Sequence, residues 1–488
     1  MFSEIKRLAK HTGIYTIGNI AMRIGAFVLL PLYTHYLSVA DFGILALLGS
    51  ISAIVSSFLG IGIAHATLRF YFEFDKSRDR NGVVSTAFIA TAAMCSSAIF
   101  ILSFFSEQLS ELVFHSRNYV FVINITYVNL IFEMSRQVGL AYLRAKEYSL
   151  LFVGVSIAQL LVQVGCNVYF LTVLKMGITG VVIGNTLAVF LGLVICAAVV
   201  INECGMRFEL EKMKIMLAYS YPFLFSSITG VIFGNVDRFI LTYLFSLEAV
   251  GLYSLALKFS ELLREMVIEP FQRSFGAFRF SIMKQDNAKE IQSRTLNYLF
   301  FVVAWFGLAI AVFSEEVINL LASPDYYGVI QYIPLIIFTQ IIGSSGYIFQ
   351  TGILIAKDTR KLFYIVTLTG MIGVTTSYPL IYFLGIFGAC ISLIIKSFFS
   401  TFMTYKISLK MYYVDYDFKG IFCSLALAVG LYLLSLLSSG HFILLSLLYK
   451  TFLCLCFPVI LYRGGILAQY EKKLILSFVK SRLQFFHR

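Results

Sequence analysis

Two long hydrophobic stretches that carry charges constrain the fold of this chain more than any other feature. They cover residues 217–243 and 250–275, and each is long enough to cross a bilayer, since roughly 20 apolar residues suffice. The first contains Asn235, Asp237 and Arg238, and the second contains Lys258, Glu261, Arg264, Glu265, Glu269 and Arg273. An isolated charge in lipid costs roughly 2.5–3.5 kcal/mol, so these groups must face one another, a bundle interior or water. At about 100° per residue the charges of the second stretch share roughly half of the helix circumference, which predicts one wall of a polar chamber.

The composition indicates a membrane protein with many spans. Of 488 residues, 59% are hydrophobic and 13% are charged, whereas soluble proteins carry about 25% charged residues. The predicted fold class is therefore an all-α polytopic membrane protein with about fourteen transmembrane helices, from the window 13–36 to the window 443–462. The first window is longer than a signal-peptide core of about 7–15 residues, so we expect an uncleaved span. The net charge of +12 is expected to mark topology, and nucleic acid is not expected as a partner.

The positions of Lys and Arg favour a cytoplasmic N-terminus. With that orientation, 27 of the 38 basic residues fall in cytoplasmic segments, and Arg117 and Lys175 alone fall in outer loops. This positive-inside pattern also decides between two structures for 250–275, a transmembrane helix and an amphipathic helix on the membrane surface. If 250–275 did not span, every later loop would change sides and carry its Lys and Arg outside. The sequence thus favours a span there and two cytoplasmic termini.

The predicted spans hold more basic than acidic side chains. The acids are Glu133, Asp237, Glu261, Glu265 and Glu269, and the basic residues are Arg23, Arg69, Arg136, Arg238, Lys258, Arg264, Arg273, Lys396 and Lys450. We expect pairs between Glu133 and Arg136 and between Glu261 and Arg264, because each pair lies three residues apart on one helical face. Arg69 and Arg273 can extend to the cytoplasmic interface. The remaining excess predicts a cationic interior.

An internal repeat divides the chain. Residues 34–47 and 242–255 lie 208 residues apart and share Thr, Ser, Gly and Leu at the same spacings, namely Thr34 with Thr242, Ser38 with Ser246, Gly43 with Gly251 and Leu47 with Leu255. Each copy forms the first outer hairpin of six spans with the same orientation, which predicts two pseudo-symmetric six-helix lobes around a central cationic cavity. The predicted domains are an N-terminal six-helix lobe over 1–205, a C-terminal six-helix lobe over 206–410, two additional transmembrane helices over 411–463 and an amphipathic cytoplasmic tail over 464–488.

The sequence contains none of the motifs that would predict an enzyme. Gly-rich phosphate loops, His-Glu-x-x-His and Cys-x-x-Cys are absent, and the eight cysteines have no spacing that indicates a disulfide framework or a metal site. The longest predicted outer loops, residues 106–118 and 314–330, are short for an enzyme that acts on lipid-linked sugars. We therefore expect no catalytic residue, cofactor or metal, and the cationic interior favours transport of an anionic substrate.

Two motifs resemble a known family. The segments Gly13-Ile-Tyr-Thr-Ile-Gly-Asn19 and Pro31-Leu-Tyr-Thr-His-Tyr-Leu-Ser-Val-Ala-Asp-Phe-Gly43 are similar to the polysaccharide transporter (O-antigen flippase) family of the MOP superfamily. The counterparts Asn235-Val-Asp-Arg-Phe-Ile-Leu241 and Leu247-Glu-Ala-Val-Gly-Leu-Tyr253 add to the resemblance. It implies a bacterial inner-membrane flippase that moves an undecaprenyl-pyrophosphate-linked oligosaccharide from the cytoplasmic to the periplasmic leaflet by alternating access.

The resemblance also implies roles for the interior charges. Arginines from the first, second and eighth spans of related flippases correspond to Arg23, to Arg69 or His65, and to Arg264 or Arg273, while Arg238 follows the Asp-Arg pair of the family. With Lys258 these residues are the predicted site for the pyrophosphate, because Arg binds phosphate oxygens through two parallel hydrogen bonds. Candidates for coupling to a proton, a sodium ion or the membrane potential are Asp237, Glu261, Glu265 and Glu269, since crowded and partly desolvated carboxyl groups take up protons more readily.

Other partners and functions remain open at this point. Besides the lipid-linked oligosaccharide and membrane lipids, other glycan-assembly membrane proteins are possible partners. A cation-coupled multidrug exporter of the same fold is the first alternative, although an exporter of cations should have an acidic chamber. A membrane-embedded enzyme of glycan assembly is the second.

Overall fold

The computed structural model describes residues 28–60, 62–283, 285–358, 360–438 and 443–463, which form helices joined by short turns, with no β-strand among them. Long apolar runs favour helices because a helix satisfies its own backbone hydrogen bonds in lipid. The helices are α1 (residues 28–36), α2 (Val39–Leu59), α3 (Ile63–Glu73), α4 (Ser77–Ser103), α5 (Ser106–Phe114), α6 (Val120–Ala145), α7 (Ser149–Val168), α8 (Gly177–Cys204), α9 (Leu210–Leu244), α10 (Leu247–Leu263), α11 (Glu269–Ile282), α12 (Ala288–Leu321), α13 (Ile333–Ser344), α14 (Gly346–Phe349), α15 (Thr351–Ile355), α16 (Arg360–Leu384), α17 (Ile386–Met411), α18 (Phe418–Ser435) and α19 (Ile443–Arg463).

The described residues pack into two compact units. The first contains the residues up to Ser254 together with Leu321–Gly328 and Val374–Ala389, and the second contains Leu255–Leu320, Val329–Gly373 and the residues from Cys390 onward. The helices α10, α16 and α17 each contribute to both units. The lobes predicted from the repeat, with boundaries at residues 205 and 410, stay a prediction.

Ten stretches of the described residues are long and apolar enough to cross a membrane, as judged by length and composition. They are Val39–Glu73, Ser77–Ser103, Ser149–Val173, Gly177–Cys204, Ala288–Leu321, Ile333–Ile355, Arg360–Leu384, Ile386–Met411, Phe418–Ser435 and Leu444–Arg463. Three further predicted spans correspond to α6, α9 and the α10–α11 pair, the helices that carry the predicted interior acids. Most of the span predicted over 13–36 and the whole tail over 464–488 lie outside the described residues, so the number fourteen stays a prediction.

The two copies of the repeated hairpin contact each other inside the first unit. A Cβ atom built on Gly43 would overlap the carbonyl oxygen of Leu247, and one built on Gly251 would overlap the carbonyl oxygen of Val39. Val39 and Leu247 also lie 208 residues apart, so they occupy equivalent positions of the repeat. Gly43 therefore contacts Leu247 in the same way as Gly251 contacts Val39. The contact is reciprocal, as expected of two elements related by a pseudo-twofold axis.

Tyr326, from the turn between α12 and α13, covers the first hairpin. Its hydroxyl donates to the carbonyl oxygens of Leu37 (3.1 Å) and Ser38 (2.9 Å), and its ring meets Phe42 edge-on at 6.1 Å. Burial raises the pKa of Tyr326 well above its usual value, and the nearby Asp41 carboxylate adds to the effect. The phenol therefore remains a hydrogen-bond donor to the hairpin at all physiological pH values.

Two further turns follow the same repeat. Glu147 and Lys357 both adopt the left-handed conformation, with φ of 58° each, 210 residues apart at the ends of α6 and α15. Gly177 and Gly385, which lie 208 residues apart, also adopt this conformation, with φ of 55° and 58°. Gly177 is the first residue of α8, and Gly385 immediately precedes α17. Both glycines begin a Gly-Ile-x-Gly sequence, a second sequence signal of the repeat at the same offset as the hairpins.

The connection from α8 to α9 is held against the beginning of α4. Ser85 Oγ donates to the Arg207 carbonyl oxygen at 2.8 Å. The buried Lys212 ammonium contacts Asp79 at 3.3 Å and Glu209 at 2.9 Å. These contacts fix the first turn of α9 to the first unit, which positions the rest of α9 beside the site described next.

Candidate functional site

The second long helix of each repeat is interrupted. In the first unit α2 ends at Leu59 and α3 begins at Ile63, with Gly62 between them in the left-handed conformation (φ 63°). The α10–α11 helix has a π-helical turn over Arg264–Ile268, followed by Pro270 in the first turn of α11. Interruptions of this kind are tolerated at membrane depth where the backbone lines a cavity.

A cavity of about 770 Å³ lies at the interruption between α2 and α3. Its walls come from α2, α3, α4, α6 and α9, and they carry hydroxyl, imidazole and carboxamide groups alongside apolar side chains. The lining residues are Ala53, Ser56, Ser57, Gly60, Gly62, Ile63, Ala64, His65, Thr91, Met134, Gln137, Val138, Tyr219, Leu224, Ser227 and Val231. The hydroxyl oxygen of Thr91 is buried and has no hydrogen-bond partner within the described part of the chain. The cavity is thus large enough, and polar enough, for a hydrated or glycan group.

Gln137 connects the cavity wall to a buried ion pair. Its Nε2 donates to Glu133 Oε1 at 3.1 Å, and the Arg136 guanidinium contacts both oxygens of the same carboxylate at 2.8 Å. The pair between Glu133 and Arg136 expected from the sequence is confirmed. Gly192 gives it room, because a Cβ there would lie 2.8 Å from Arg136 Cδ. The two charges offset each other, so this wall presents a neutral carboxamide to the cavity.

Two candidates that the sequence could not separate take different places around the cavity. His65 lines it from the first turn of α3. Arg69 lies one turn further along, where its guanidinium stands 4.3 Å from the ring centroid of Tyr219, which also lines the cavity. Arg69 also pairs with Glu73 at 3.8 Å, and both side chains are 55% exposed. Arg69 therefore stands at the rim and His65 in the wall.

The neighbours Asp237 and Arg238 on α9 have different partners. The Asp237 carboxylate is 2% exposed and accepts hydrogen bonds from Ser377 Oγ at 2.5 Å and from the Tyr253 hydroxyl at 3.3 Å. Arg238 donates to Asn235 Oδ1 at 2.7 Å and to Ser50 Oγ at 3.0 Å. Its Nε is buried without a partner in the described residues. Ser377 was not predicted, because it lies 140 residues from Asp237 in the sequence.

Four of the predicted charges of the second unit form pairs along their own helix. Lys258 contacts Glu261 at 2.8 Å, and Arg273 contacts Glu269 at 3.4 Å. Glu261 thus takes Lys258 as a partner, where the sequence had suggested Arg264. Arg264 and Glu265 are half-buried in the π-helical turn. Arg23, the remaining predicted ligand, lies outside the described residues.

A second ion cluster, around a buried lysine, was not predicted from the sequence. Lys450 on α19 is 3% exposed and contacts Glu315 at 3.2 Å and Glu316 at 2.5 Å. Both glutamates were assigned to an outer loop, but α12 continues to Leu321 and carries them on its last turns. The cluster neutralises Lys450 and joins α19 to α12. It also lowers the cationic excess predicted for the interior.

The chain is similar to one protein family, to a membrane protein of another organism and to solved transporter structures. The sequence pattern of the family described as "Polysaccharide biosynthesis protein" matches residues 34–331. An uncharacterized membrane protein of Haemophilus influenzae is 22% identical over 290 residues, which cover 58% of this chain and 67% of that protein. The solved structure of the lipid II flippase MurJ in an inward closed conformation superposes with a TM-score of 0.75 and 14% identity, over 93% of this chain and 99% of that one.

An inward-facing multidrug resistance transporter of the MATE family, in the MOP superfamily, superposes with a TM-score of 0.62 and 14% identity. The match covers 81% of this chain and 94% of that structure. At these identities the structures show a shared fold. The predicted all-helical fold is thereby confirmed, and it is the fold of these two transporters. The chain is a multi-pass membrane protein.

Proposed function

Because this chain belongs to the polysaccharide biosynthesis protein family, we propose that it is a flippase for an undecaprenyl-pyrophosphate-linked oligosaccharide. The proposed direction is from the cytoplasmic to the periplasmic leaflet of a bacterial inner membrane, with both termini cytoplasmic. The observation that carries the proposal is the polar cavity of about 770 Å³ beside the interrupted α2–α3 helix. The fold it shares with a lipid II flippase and a multidrug transporter supports transport as the activity.

The cavity suits the glycan better than the lipid. Sugars present many hydroxyl groups, and their transfer into an apolar site without hydrogen bonds costs several kcal/mol. Ser56, Ser57, Ser227, His65 and Gln137 offer donors and acceptors along the walls. The prenyl chain needs no such site, because it can stay in the surrounding lipid. The cavity can therefore accept the polar part of the substrate while the tail remains in the membrane.

We assign the pyrophosphate to the predicted basic residues. These are Arg23, Arg69, Arg238, Lys258, Arg264 and Arg273. The buried Nε of Arg238 supports a role for that residue, since it has no acceptor in the described part of the chain and can still donate to one. If binding depends on the two parallel hydrogen bonds that a guanidinium can form, Arg238→Lys will restore little of the transport that Arg238→Ala loses. If only charge matters, lysine will restore most of it.

Coupling to a cation gradient or to the membrane potential is assigned to Asp237, Glu261, Glu265 and Glu269. Asp237 is the most buried of the four, and hydroxyl groups from α10 and α16 donate to it. A proton or a sodium ion at this carboxylate would change the hydrogen bonds that join three helices. Flipping into proteoliposomes at several proton, sodium and electrical gradients tests this role, and equal rates under all of them would leave the acids with a structural role.

The decisive experiment for the function is transport of a defined lipid-linked oligosaccharide by the purified protein. Proteoliposomes with the substrate on one leaflet should show its appearance on the other at a rate proportional to protein. Ser57→Trp fills the cavity without changing charge and should abolish transport, whereas Gly154→Ala, which projects into open space on α7, should not change it. No transport by the unaltered protein for any lipid-linked glycan would refute the proposal. In cells, the glycan that accumulates on the cytoplasmic leaflet after depletion identifies the substrate.

A multidrug exporter is the second candidate, because the MATE transporter shares the fold. The same proteoliposomes distinguish it. Gradient-dependent uptake of a cationic dye, with no effect of lipid-linked oligosaccharide, would favour export of drugs.

The proposed topology has its own test. Single cysteines near Arg360 should react only from the cytoplasmic side, and those near Glu111 and Asp325 only from the periplasmic side. Periplasmic labelling near Arg360 would show that the charged α10–α11 helix does not span the membrane.

A further inference from the structure

The polar face of α11 extends beyond the charges predicted from the sequence and ends on hydrogen-bond donors. Gln272 Nε2 and the Nε and Nη1 atoms of Arg279 are buried, and none of the three has an acceptor among the residues that the structure describes. Gln272, Gly276 and Arg279 are four and three residues apart, so they lie on one face of the helix. Within the described part of the chain, three donors without acceptors thus line two turns of α11.

Gly276 leaves open space between the two donor side chains. A Cβ built on this glycine would have Arg279 Nη2 at 4.0 Å and no other atom within that distance. The Arg279 guanidinium is held from the sides by aromatic rings, with its central carbon 5.1 Å from the Phe275 centroid and 5.9 Å from the Phe280 centroid. A cation–π contact takes no hydrogen bond from the N–H groups, so these donors still need an acceptor.

The one acid of α11 does not supply that acceptor. Glu269, two turns before Gly276 on α11, contacts Arg273 at 3.4 Å. A buried donor without an acceptor is destabilising, and a charged one is more so. A water molecule can satisfy the carboxamide of Gln272, but it cannot offset the charge of Arg279. The missing partner is therefore expected to be an anion with several acceptor oxygens.

We infer that Gln272 and Arg279, across Gly276, form a subsite for a phosphate-type anion. A planar guanidinium fork and an adjacent amide donor match the oxygens of a phosphate group. Two sources present this chemistry at a membrane, the pyrophosphate of the lipid-linked substrate and the headgroup of an anionic phospholipid. The first source rests on the proposed function and would make the subsite an additional contact for the substrate; the second does not depend on it.

The test measures Arg279 itself in the full-length protein. Phenylglyoxal modifies guanidinium groups, and peptide mass spectrometry reports the rate at each arginine. Inorganic pyrophosphate should slow the modification of Arg279 at least fivefold in neutral detergent. Arg294 serves as the matched control, because it is held by Glu290 at 2.7 Å on α12 and should change less than twofold. A second arm replaces pyrophosphate with vesicles that contain phosphatidylglycerol, compared with vesicles of phosphatidylcholine.

Protection by pyrophosphate supports the substrate as the source, and protection by phosphatidylglycerol alone supports the phospholipid. Gly276→Leu keeps Arg279 but fills the space beside it, and it should remove the protection in either arm. Equal rates at Arg279 with and without both anions, or protection that survives Gly276→Leu, would overturn the subsite. The measurement needs no transport, so a failure of the unaltered protein to flip lipid-linked glycans would refute the proposed function without touching this result.

Discussion

The two copies of the repeated hairpin use the same three residue types for the same three tasks. Ser38 and Ser246 each accept a hydrogen bond from the backbone N–H three residues later, at Asp41 and Ala249. The threonines that precede them bond the carbonyl oxygen four residues back, and the glycines that follow meet the carbonyl oxygen of the opposite copy. The repeat therefore retains side chains where the backbone geometry requires them.

The two copies differ at positions where the backbone geometry does not require a particular side chain. Asp41 completes a capping box in the first, because its side chain accepts from the Ser38 N–H at 3.0 Å. The second has Ala249 at that position and Glu248 beside it, and the Ser246 hydroxyl lowers the pKa of Glu248. The first hairpin thus has a more complete cap. This difference explains why few matches are visible in the sequence, and why the Thr, Ser and Gly matches mark positions with a shared structural role.

The largest effect is expected from removing the glycines. Gly43→Ala and Gly251→Ala should each lower the free energy of unfolding by about 1–3 kcal/mol, because a methyl group overlaps a backbone carbonyl that cannot rotate away. The two losses should be similar, and the double variant should lose less than their sum, since both open the same contact. Thermal unfolding of the purified protein in detergent measures this.

Gly49→Ala is the matched control for these variants. It lies on α2, as Gly43 does, and a Cβ there meets nothing within 4 Å. It should be neutral or slightly stabilising, since Ala favours a helix over Gly by roughly 0.5–1 kcal/mol. A loss at Gly43 with none at Gly251 would contradict the reciprocal contact.

A smaller and unequal effect is expected at the caps. Ser38→Ala should cost about 1–2 kcal/mol and Ser246→Ala about 0.5–1 kcal/mol, because the first also disturbs the capping box. In an Asp41→Ala background, Ser38→Ala should lower the free energy of unfolding by about as much as Ser246→Ala does, roughly 0.5–1 kcal/mol. The same unfolding measurement applies, and equal losses at both serines would show that Asp41 adds nothing.

The sequence predicted what depends on local spacing. The helices follow the hydrophobic windows, and the pair of Glu133 with Arg136 follows from a spacing of three residues on one helix. The end of α12 was misplaced, because Glu315 and Glu316 resemble a loop until Lys450, 134 residues later, is known to face Glu316. Hydropathy records the cost of burying a charge but not the partner that removes that cost.

The candidate site was predictable only in part, for the same reason. Asp237 and Arg238 are conspicuous as charges in an apolar stretch. Their partners Ser377 and Ser50 belong to helices that are far away in the sequence, and serines are common in apolar spans. The cavity depends on five helices and on the break at Gly62. A glycine in a hydrophobic run does not reveal its φ angle, so the interruption could not be located from the sequence.

The smallest effect is expected at Thr242, because the threonines of the two copies should again differ. Thr242 Oγ1 bonds only the Arg238 carbonyl oxygen of its own helix at 2.8 Å among the described residues. That carbonyl keeps its backbone partner, so Thr242→Val should change the unfolding free energy by less than about 0.5 kcal/mol. Thr34 Oγ1 can also donate to the Leu321 carbonyl oxygen, at 2.9 Å, which belongs to the last residue of α12. The last carbonyls of a helix lack an intrahelical donor, so Thr34→Val should cost about 0.5–1.5 kcal/mol. Thr34→Ser keeps the hydroxyl and serves as its control. A loss at Thr242 equal to that at Thr34 would mean that the bond to α12 contributes nothing, and that the two hairpins are equivalent at this position after all.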